Sequence, residues 1–384
     1  MHTGRNRLQQ LEGLRIIAIV MIALSHMEFL YAGPVIYPYS AFYKLHLHNP
    51  DLGVDYFFML SGFGLYLASM KADDSQITFG SSLRFAWQKI RKIYPFYLIS
   101  MMLMIPFQLA IFQNGQIAPG GIKALLLKLP FVLTLTQTMT GIRYFSRALN
   151  SVCWFLSALA IIYIGAPLLI SVLKKRVKTV KQAVVSLSVT YIGLLFFTWF
   201  LLLFDRNAIF GRMIFDDLFY SSPYIRVFYV AIGMEIGVLF SLISNRVKID
   251  TRGELIAACI GFLYYWCKRL LPEDSISEII WVRAIDVSVC ALVLGVFCLG
   301  KGRLSASLSK IGRKSGYVVY FFLFHYPLRF YVEMVFTKLQ INIGIMTGIL
   351  ETILIFGLSM LAAMICFRIR NRRSASSSPA IPKT

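Results

Sequence analysis

The stretch LEGLRIIAIVMIALSHMEFL, residues 11–30, places Arg15 and His26 in a run that is otherwise almost wholly apolar. A run of this length predicts a helix that crosses the ~30 Å hydrocarbon core of a bilayer. At 3.6 residues per turn, Arg15 and His26 fall on one face of that helix, about 16 Å apart along its axis. Ionisable groups inside a membrane are costly, so each is a functional hypothesis by default. The alternative is an Arg that anchors the helix and a His that bonds a neighbouring one.

The composition of the whole chain also indicates a membrane protein. Of its 384 residues, 58% are hydrophobic and 15% are charged, and the mean hydropathy is +0.68. A soluble domain is about half apolar and one quarter charged. In a soluble protein, the net charge of +21 would suggest a nucleic-acid partner. In a membrane protein it reports how the chain is oriented in the membrane, because cytoplasmic loops accumulate Lys and Arg. We expect no nucleic acid partner and no metal, and the six cysteines, which lack zinc or disulfide spacing, are predicted to be core residues.

The hydropathy pattern predicts an all-α polytopic membrane protein with about ten transmembrane helices. They are placed at 14–32, 51–70, 93–113, 153–173, 182–204, 224–243, 254–271, 284–300, 316–336 and 343–367. With the N-terminus inside, 25 basic residues fall in inner segments and nine in outer loops, as the positive-inside rule requires. An eleventh span at 124–138 would destroy this pattern, so that stretch is predicted to be a linker or a membrane-lying cover. Both termini are expected to be cytoplasmic, in the plasma membrane, with residues 371–384 a disordered basic, Ser/Pro-rich tail.

Three further polar residues lie within the predicted spans. Asp55 lies in span two, about one turn below the predicted outer surface and near the predicted depth of His26. A carboxylate there can orient an imidazole. The alternative role of Asp55 is helix capping. His325 lies near mid-membrane in span nine and heads an i, i+4, i+8 series with Arg329 and Glu333, which is also consistent with a plain ion pair. Glu235 is a further buried carboxylate, with no partner identifiable from sequence. Gly62 and Gly64 are predicted to permit close helix packing.

A basic cluster precedes span three in FAWQKIRKIYPFYLI. Lys89, Arg91 and Lys92 lie on the predicted cytoplasmic side. Such clusters commonly hold anionic lipid headgroups. The alternative is a grip on the phosphates of a cytoplasmic cofactor.

Six stretches together resemble the membrane acyltransferase-3 family, integral-membrane O-acyltransferases of bacterial surface glycans and related acceptors. They are LEGLRIIAIVMIALSH, GVDYFFMLSGF, KIRKIYPFY, CWFLSALAIIY, RVFYVAIGMEIG and FLFHYPL, in the family's order. The sequence departs from the family pattern where Lys89 and Lys92 replace two arginines, which removes the bidentate fork that arginine offers to phosphate. The segment after Trp154 also lacks the acidic residues of many relatives.

The resemblance implies a transmembrane acyltransferase domain over 1–370 that moves an acyl group, usually acetyl from acetyl-CoA, to an extracytoplasmic hydroxyl. The expected partners are the lipid bilayer, the acyl-CoA donor and a glycan or lipid-linked saccharide acceptor. His26 is then the base or transient acyl carrier, Asp55 its orienting partner and His325 a further catalytic candidate. Arg15, Lys89, Arg91 and Lys92 would bind the coenzyme. The rival hypothesis is a transporter or flippase whose proton relay uses His26, Asp55 and Glu235.

Overall fold

The protein is an all-α membrane protein in which helices occupy all ten predicted regions. The computed structural model describes residues 8–27, 41–70, 77–110, 121–206, 217–271, 276–341 and 344–376. Its helices are α1 (Gln9–Ser25), α2 (Asp51–Ser69), α3 (Phe79–Ile90), α4 (Tyr94–Met102), α5 (Ile105–Gln108), α6 (Gly121–Thr134), α7 (Arg143–Ser146), α8 (Trp154–Arg176), α9 (Val180–Arg206), α10 (Pro223–Ile243), α11 (Thr251–Cys267), α12 (Ile276–Leu299), α13 (Arg303–Gly312), α14 (Val318–Lys338) and α15 (Ile345–Ser376). Single turns of π- or 3₁₀-helix cover Tyr43–Leu47, Gln137–Thr140, Ser151–Cys153, Lys268–Leu270 and Ser315–Tyr317. The described residues form no sheet, and one isolated bridge joins Ile249 to Gly300.

Six segments of the described chain are long and apolar enough to cross a membrane. They are 43–69, 151–176, 180–203, 223–243, 276–299 and 346–372. The prediction of an all-α polytopic membrane protein is confirmed, whereas the count of ten spans remains a prediction. The first helix begins and ends earlier than predicted, at Gln9 and Ser25, and residues 28–32 lie outside the described chain. The last helix continues to Ser376, so the first residues of the predicted tail are helical; residues 377–384 are not described.

The weak apolar stretch at 124–138 is built mainly of helix α6, which has only 14 residues. At 1.5 Å per residue it is about 21 Å long, too short to cross ~30 Å of hydrocarbon. The hydroxyls of Tyr94 and Tyr97 donate to the carbonyls of Leu133 and Val132, 2.7 and 2.8 Å away. The outer face of α6 exposes leucine and isoleucine side chains. Its predicted position as a cover along the membrane remains a prediction.

Glycines set the closest helix contacts, which place the core around α2 and α10. A Cβ on Gly62 would overlap the carbonyl of Val230, and one on Gly233 would overlap the carbonyl of Met59. The backbones of α2 and α10 therefore touch, as small residues permit in membrane proteins. The packing prediction is correct for Gly62. It is wrong for Gly64, where an added Cβ would meet nothing within 4 Å.

The cysteines divide between core and surface. Cys153, Cys290, Cys298 and Cys366 are buried, as predicted, and all six described cysteines are free thiols. The two others, Cys259 and Cys267, are exposed, because most of α11 packs little of its surface against the bundle and its large hydrophobic side chains point outward.

Candidate active site

Two histidines from distant parts of the sequence meet at the end of α1. His26 is the residue that caps the C-terminus of α1, and His325 is buried within α14. Their ring centroids are 5.3 Å apart, and Nε2 of His325 lies 3.4 Å from Nδ1 of His26. The structure therefore brings together two of the three predicted catalytic residues, which are 299 positions apart in the chain.

The backbone around each ring sets the position of its proton. Nδ1 of His26 lies 2.7 Å from the carbonyl of Ile22, and Nδ1 of His325 lies 2.8 Å from that of Phe322. A carbonyl oxygen only accepts, so the neutral rings carry their protons on Nδ1 and present Nε2 as a lone pair. In the described part of the chain, nothing hydrogen-bonds to Nε2 of His26. That atom is able to take a proton or form a bond to an acyl carbon.

Two arginines, each paired with a carboxylate, lie near the histidine pair. Arg147 and Arg329 are both close enough to interact electrostatically with the His26 ring, and the ring of Tyr326 packs edge-on against it at 5.4 Å. Arg147 forms an ion pair of 3.0 Å with Asp217, which fixes the guanidinium in place. Fixed positive groups beside a nucleophile suit a reaction in which negative charge develops on oxygen.

The structure does not bring Asp55 to His26, which corrects the pairing predicted from sequence. The Asp55 carboxylate is fully buried and accepts a hydrogen bond of 2.5 Å from Nη1 of Arg226. Its second oxygen lies 3.7 Å from Nη1 of Arg283. The predicted similarity of depth did not imply contact, because two arginines from α10 and α12 pair with Asp55 instead. His26 is oriented instead by the carbonyl of Ile22.

The four predicted coenzyme ligands lie on the predicted cytoplasmic side without forming one closed site. Arg15 lies 5.6 Å above the ring of Phe57 and 3.4 Å from Glu12. Lys89 Nζ lies 4.9 Å above the ring of Phe85, and both Arg91 and Lys92 are exposed in the turn that follows α3. Arg15 and the cluster border the same helix, since Arg15 interacts with Tyr163 of α8 and α3 packs along α8.

Arg15, inside α1, and His26, at its C-terminus, contact different neighbours. Arg15 faces α2 through Phe57, whereas His26 faces α14 through His325. A line of aromatic contacts joins the two regions. Phe57 lies 5.8 Å from Phe155, Phe155 lies 5.6 Å from Phe322, and Phe322 lies 5.9 Å from His325.

The series that begins with His325 forms an ion pair between its second and third members. Nε of Arg329 lies 3.4 Å from Glu333, as the i, i+4 spacing predicts. The sequence reasoning missed Glu351, which is fully buried on α15 and interacts electrostatically with Glu333 and Arg329. No described residue hydrogen-bonds to either carboxylate oxygen of Glu351. A carboxylate inside an apolar helix was the signal that could have identified it.

The relay expected of a transporter is not assembled in the described chain. Glu235 accepts hydrogen bonds from Ser186 and Thr190, at 2.5 and 2.8 Å, so its partners are hydroxyls. Asp55 is held by arginines. The three residues proposed for a proton relay therefore have three separate sets of neighbours. No cluster of three or more His, Cys, Asp or Glu suited to a metal is present among the described residues.

These features define a polytopic membrane protein with a paired-histidine site at one end of its first helix and an arginine near the other. Residues 8–368 match the sequence profile described as an acyltransferase domain, that of the acyltransferase-3 family. The match covers nearly the whole chain, and the chain belongs to this family. It is a membrane acyltransferase. Comparison with curated proteins and with solved structures finds no match.

Proposed function

We propose that the protein is a plasma-membrane O-acyltransferase, with both termini cytoplasmic, that moves acetyl from cytoplasmic acetyl-CoA to a hydroxyl of an extracytoplasmic glycan or lipid-linked saccharide. The histidine pair is the observation that carries this proposal. Nε2 of His26, which has no hydrogen-bond partner among the described residues, is the group that acyl transfer needs, since a hydroxyl becomes a good nucleophile only when a base removes its proton.

The first helix links the two sides of the reaction. Arg15 precedes His26 by eleven residues, or about 16 Å at 1.5 Å per residue. Arg15 would bind a coenzyme phosphate at the inner edge, with Lys89, Arg91 and Lys92 nearby. The aromatic line from Phe57 to Phe322 supports a dry route between the two regions, in which the thioester is protected from hydrolysis.

The transfer step then uses the groups of the histidine pair. Nε2 of His26 accepts the proton of the acceptor hydroxyl as its oxygen attacks the thioester carbon. The carbon–sulfur bond breaks, and the coenzyme leaves as a thiolate that takes up the proton. The resulting positive charge on His26 is stabilised through Nδ1–H by the Ile22 carbonyl and by the lone pair of His325. His325 thus occupies the place that sequence reasoning gave to Asp55.

The experiment uses membrane vesicles prepared from cells that produce the protein. It measures the rate at which radiolabel moves from acetyl-CoA to the glycan fraction. We expect His26→Ala to lower the rate by about 10²–10⁴, the usual contribution of a general base. His46→Ala is the matched control, because His46 stacks on Trp266 away from the pair. Full activity of a folded His26→Ala variant would refute the proposal.

A second readout separates the two chemical roles of His26. An acyl carrier would retain label on the protein after rapid gel filtration at neutral pH when no acceptor is present, and His26→Ala would abolish that label. A general base would leave no labelled protein in either form. Both roles predict loss of transfer in the variant.

A further inference from the structure

A polar cleft lies on the predicted outer side, where the segments before α2 and α10 meet α11 and α12. It has a volume of about 300 Å³. The polar residues that line it come from the segment before α2 and the first residue of α2, from the segment before α10, from the turn after α11 and from the first half of α12. Among the described residues they are His48, Asp51, Tyr220, Lys268, Arg283 and Asp286.

The lining of the cleft is charge-balanced. Two carboxylates, Asp51 and Asp286, flank Lys268 at 2.7 and 2.9 Å from its Nζ atom. Arg283 donates to the hydroxyl of Tyr229 and faces the buried carboxylate of Asp55 at 3.7 Å. The cleft wall therefore contains two cations and two carboxylates. Asp55 and its partner Arg226 lie behind them with no net charge of their own.

Such a wall favours an uncharged ligand with many hydroxyls. An anion would lose hydration and meet Asp51 and Asp286, and a cation would meet Lys268 and Arg283, so neither gains a net attraction to compensate its desolvation. A hydroxyl donates to a carboxylate and accepts from an ammonium or guanidinium group, so it bonds to both kinds of residue. Phe219 adds an apolar face to the lining, and the volume is at the lower end of the range for small-molecule sites, roughly 300–1,000 Å³.

The cleft also adjoins the transfer site. His48 lines it and donates from Nδ1 to the carbonyl of Ser25, 2.8 Å away. Ser25 is the residue next to His26. Through His48, the cleft is therefore linked to the residue that precedes His26.

We propose that this cleft is the acceptor subsite and that it selects an uncharged, polyhydroxylated sugar unit. The inference rests on the proposed function and deepens it, because it names where the acceptor binds and which class of saccharide is accepted. It assigns Lys268, Asp286 and Arg283 to acceptor binding rather than to a proton relay.

The test uses full-length protein in nanodiscs and saturation-transfer difference NMR. The neutral probes are the methyl glycosides of glucose, galactose, mannose and rhamnose, and the charged probes are methyl glucuronide and methyl glucosaminide. We expect signal from at least one neutral probe and weaker signal from both charged ones. Absence of signal from all four neutral probes, or stronger signal from a charged probe, would overturn the proposal.

Two variants locate the binding. Ile279 lines the cleft without joining its ion pairs, so Ile279→Trp should abolish the neutral-probe signal, whereas Ile285→Trp on the exposed face of the same helix should retain it. Asp51→Asn gives the lining a net positive charge and should raise the glucuronide signal severalfold relative to the neutral one. Retained signal in Ile279→Trp, or an unchanged ratio in Asp51→Asn, contradicts the assignment.

Labelled acetyl-CoA separates this inference from the function beneath it. If Ile279→Trp binds acetyl-CoA as the wild type does but no longer transfers the label, both proposals stand. Undiminished transfer in Ile279→Trp overturns the subsite and leaves the acyltransferase proposal intact. A wild-type protein that transfers no label to glycan overturns the proposed function itself.

Discussion

Removing the charge of Asp55 should destabilise the fold strongly, although sequence placed this residue in the catalytic site. Asp55 and Arg226 have no solvent exposure and lie 2.5 Å apart. Arg226 keeps one other hydrogen bond, from Nε to the carbonyl of Tyr220 at 2.6 Å, and is surrounded by aromatic rings, of which Tyr229 is 4.9 Å away. In Asp55→Asn the guanidinium stays buried without its counter-charge. Loss of one partner of a buried pair costs about 3–5 kcal/mol, and we expect the free energy of unfolding to fall by that amount.

The assay is denaturant unfolding of the purified protein in detergent micelles, followed by tryptophan fluorescence. Glu12→Gln is the matched control, because Glu12 pairs with the partly exposed Arg15 at 3.4 Å and such surface pairs contribute about 0–1 kcal/mol. The double variant Asp55→Leu with Arg226→Met removes both charges together. Its loss of stability should be well below the sum of the two single variants, since the desolvation cost disappears with the pair.

Two results would refute this reasoning. One is an Asp55→Asn variant that unfolds within about 1 kcal/mol of the wild type, which is the range for a surface pair. The other is additivity in the double variant. A variant of unchanged stability that had lost acyl transfer would restore the catalytic role that sequence suggested for Asp55.

Three further predictions follow from single contacts. Gly62→Ala should destabilise the fold by about 1–3 kcal/mol through overpacking against Val230. Gly64→Ala should not, because the space around Gly64 is open. Equal free energies of unfolding in the two variants would contradict this prediction. Arg15→Ala should raise the Kd for acetyl-CoA by about one to two orders of magnitude, since a hydrogen bond to a charged group contributes about 1.5–3 kcal/mol. Unaltered binding by calorimetry would exclude Arg15 from the coenzyme site. His325→Ala should lower the single-turnover rate of transfer by about tenfold, because His26 loses one hydrogen-bond partner. The affinity for acetyl-CoA should stay constant. An unchanged rate would remove His325 from the mechanism.

The architecture was predictable because lipid constrains the sequence strongly. Long apolar runs must be helical in a bilayer, since no water is available to satisfy the backbone. All ten predicted regions hold helices for this reason. The ends were less predictable: α1 stops at Ser25, before its apolar run ends, because hydropathy reports burial and not the backbone conformation of a cap.

The candidate site was predictable in its residues but not in its pairings. His26 and His325 stood out as ionisable groups in apolar runs, and that property is local to each span. Their contact depends on how α1 packs against α14, which no local pattern encodes. The same limit explains Asp55, whose predicted depth suggested His26 as its partner but whose side chain pairs with Arg226. Arg226 and Asp286 also lie in predicted apolar spans but were not singled out there, and Arg283 falls one residue before the predicted span 284–300.

The charged residues of the membrane region fall into two groups that differ in whether a neutral, titratable ring lies among them. Around Asp55 and Lys268, carboxylates and cations are matched in number and lie within about 4 Å of one another, so this group has no net charge. Around His26, the described cations Arg147 and Arg329 are each paired with a carboxylate, and the neutral ring near them has no described hydrogen-bond partner at Nε2. A group with matched charges is suited to hold a neutral acceptor without changing its own state. A group with unused capacity is suited to the step in which charge appears, and for this reason we place acceptor binding at the first and acyl transfer at the second.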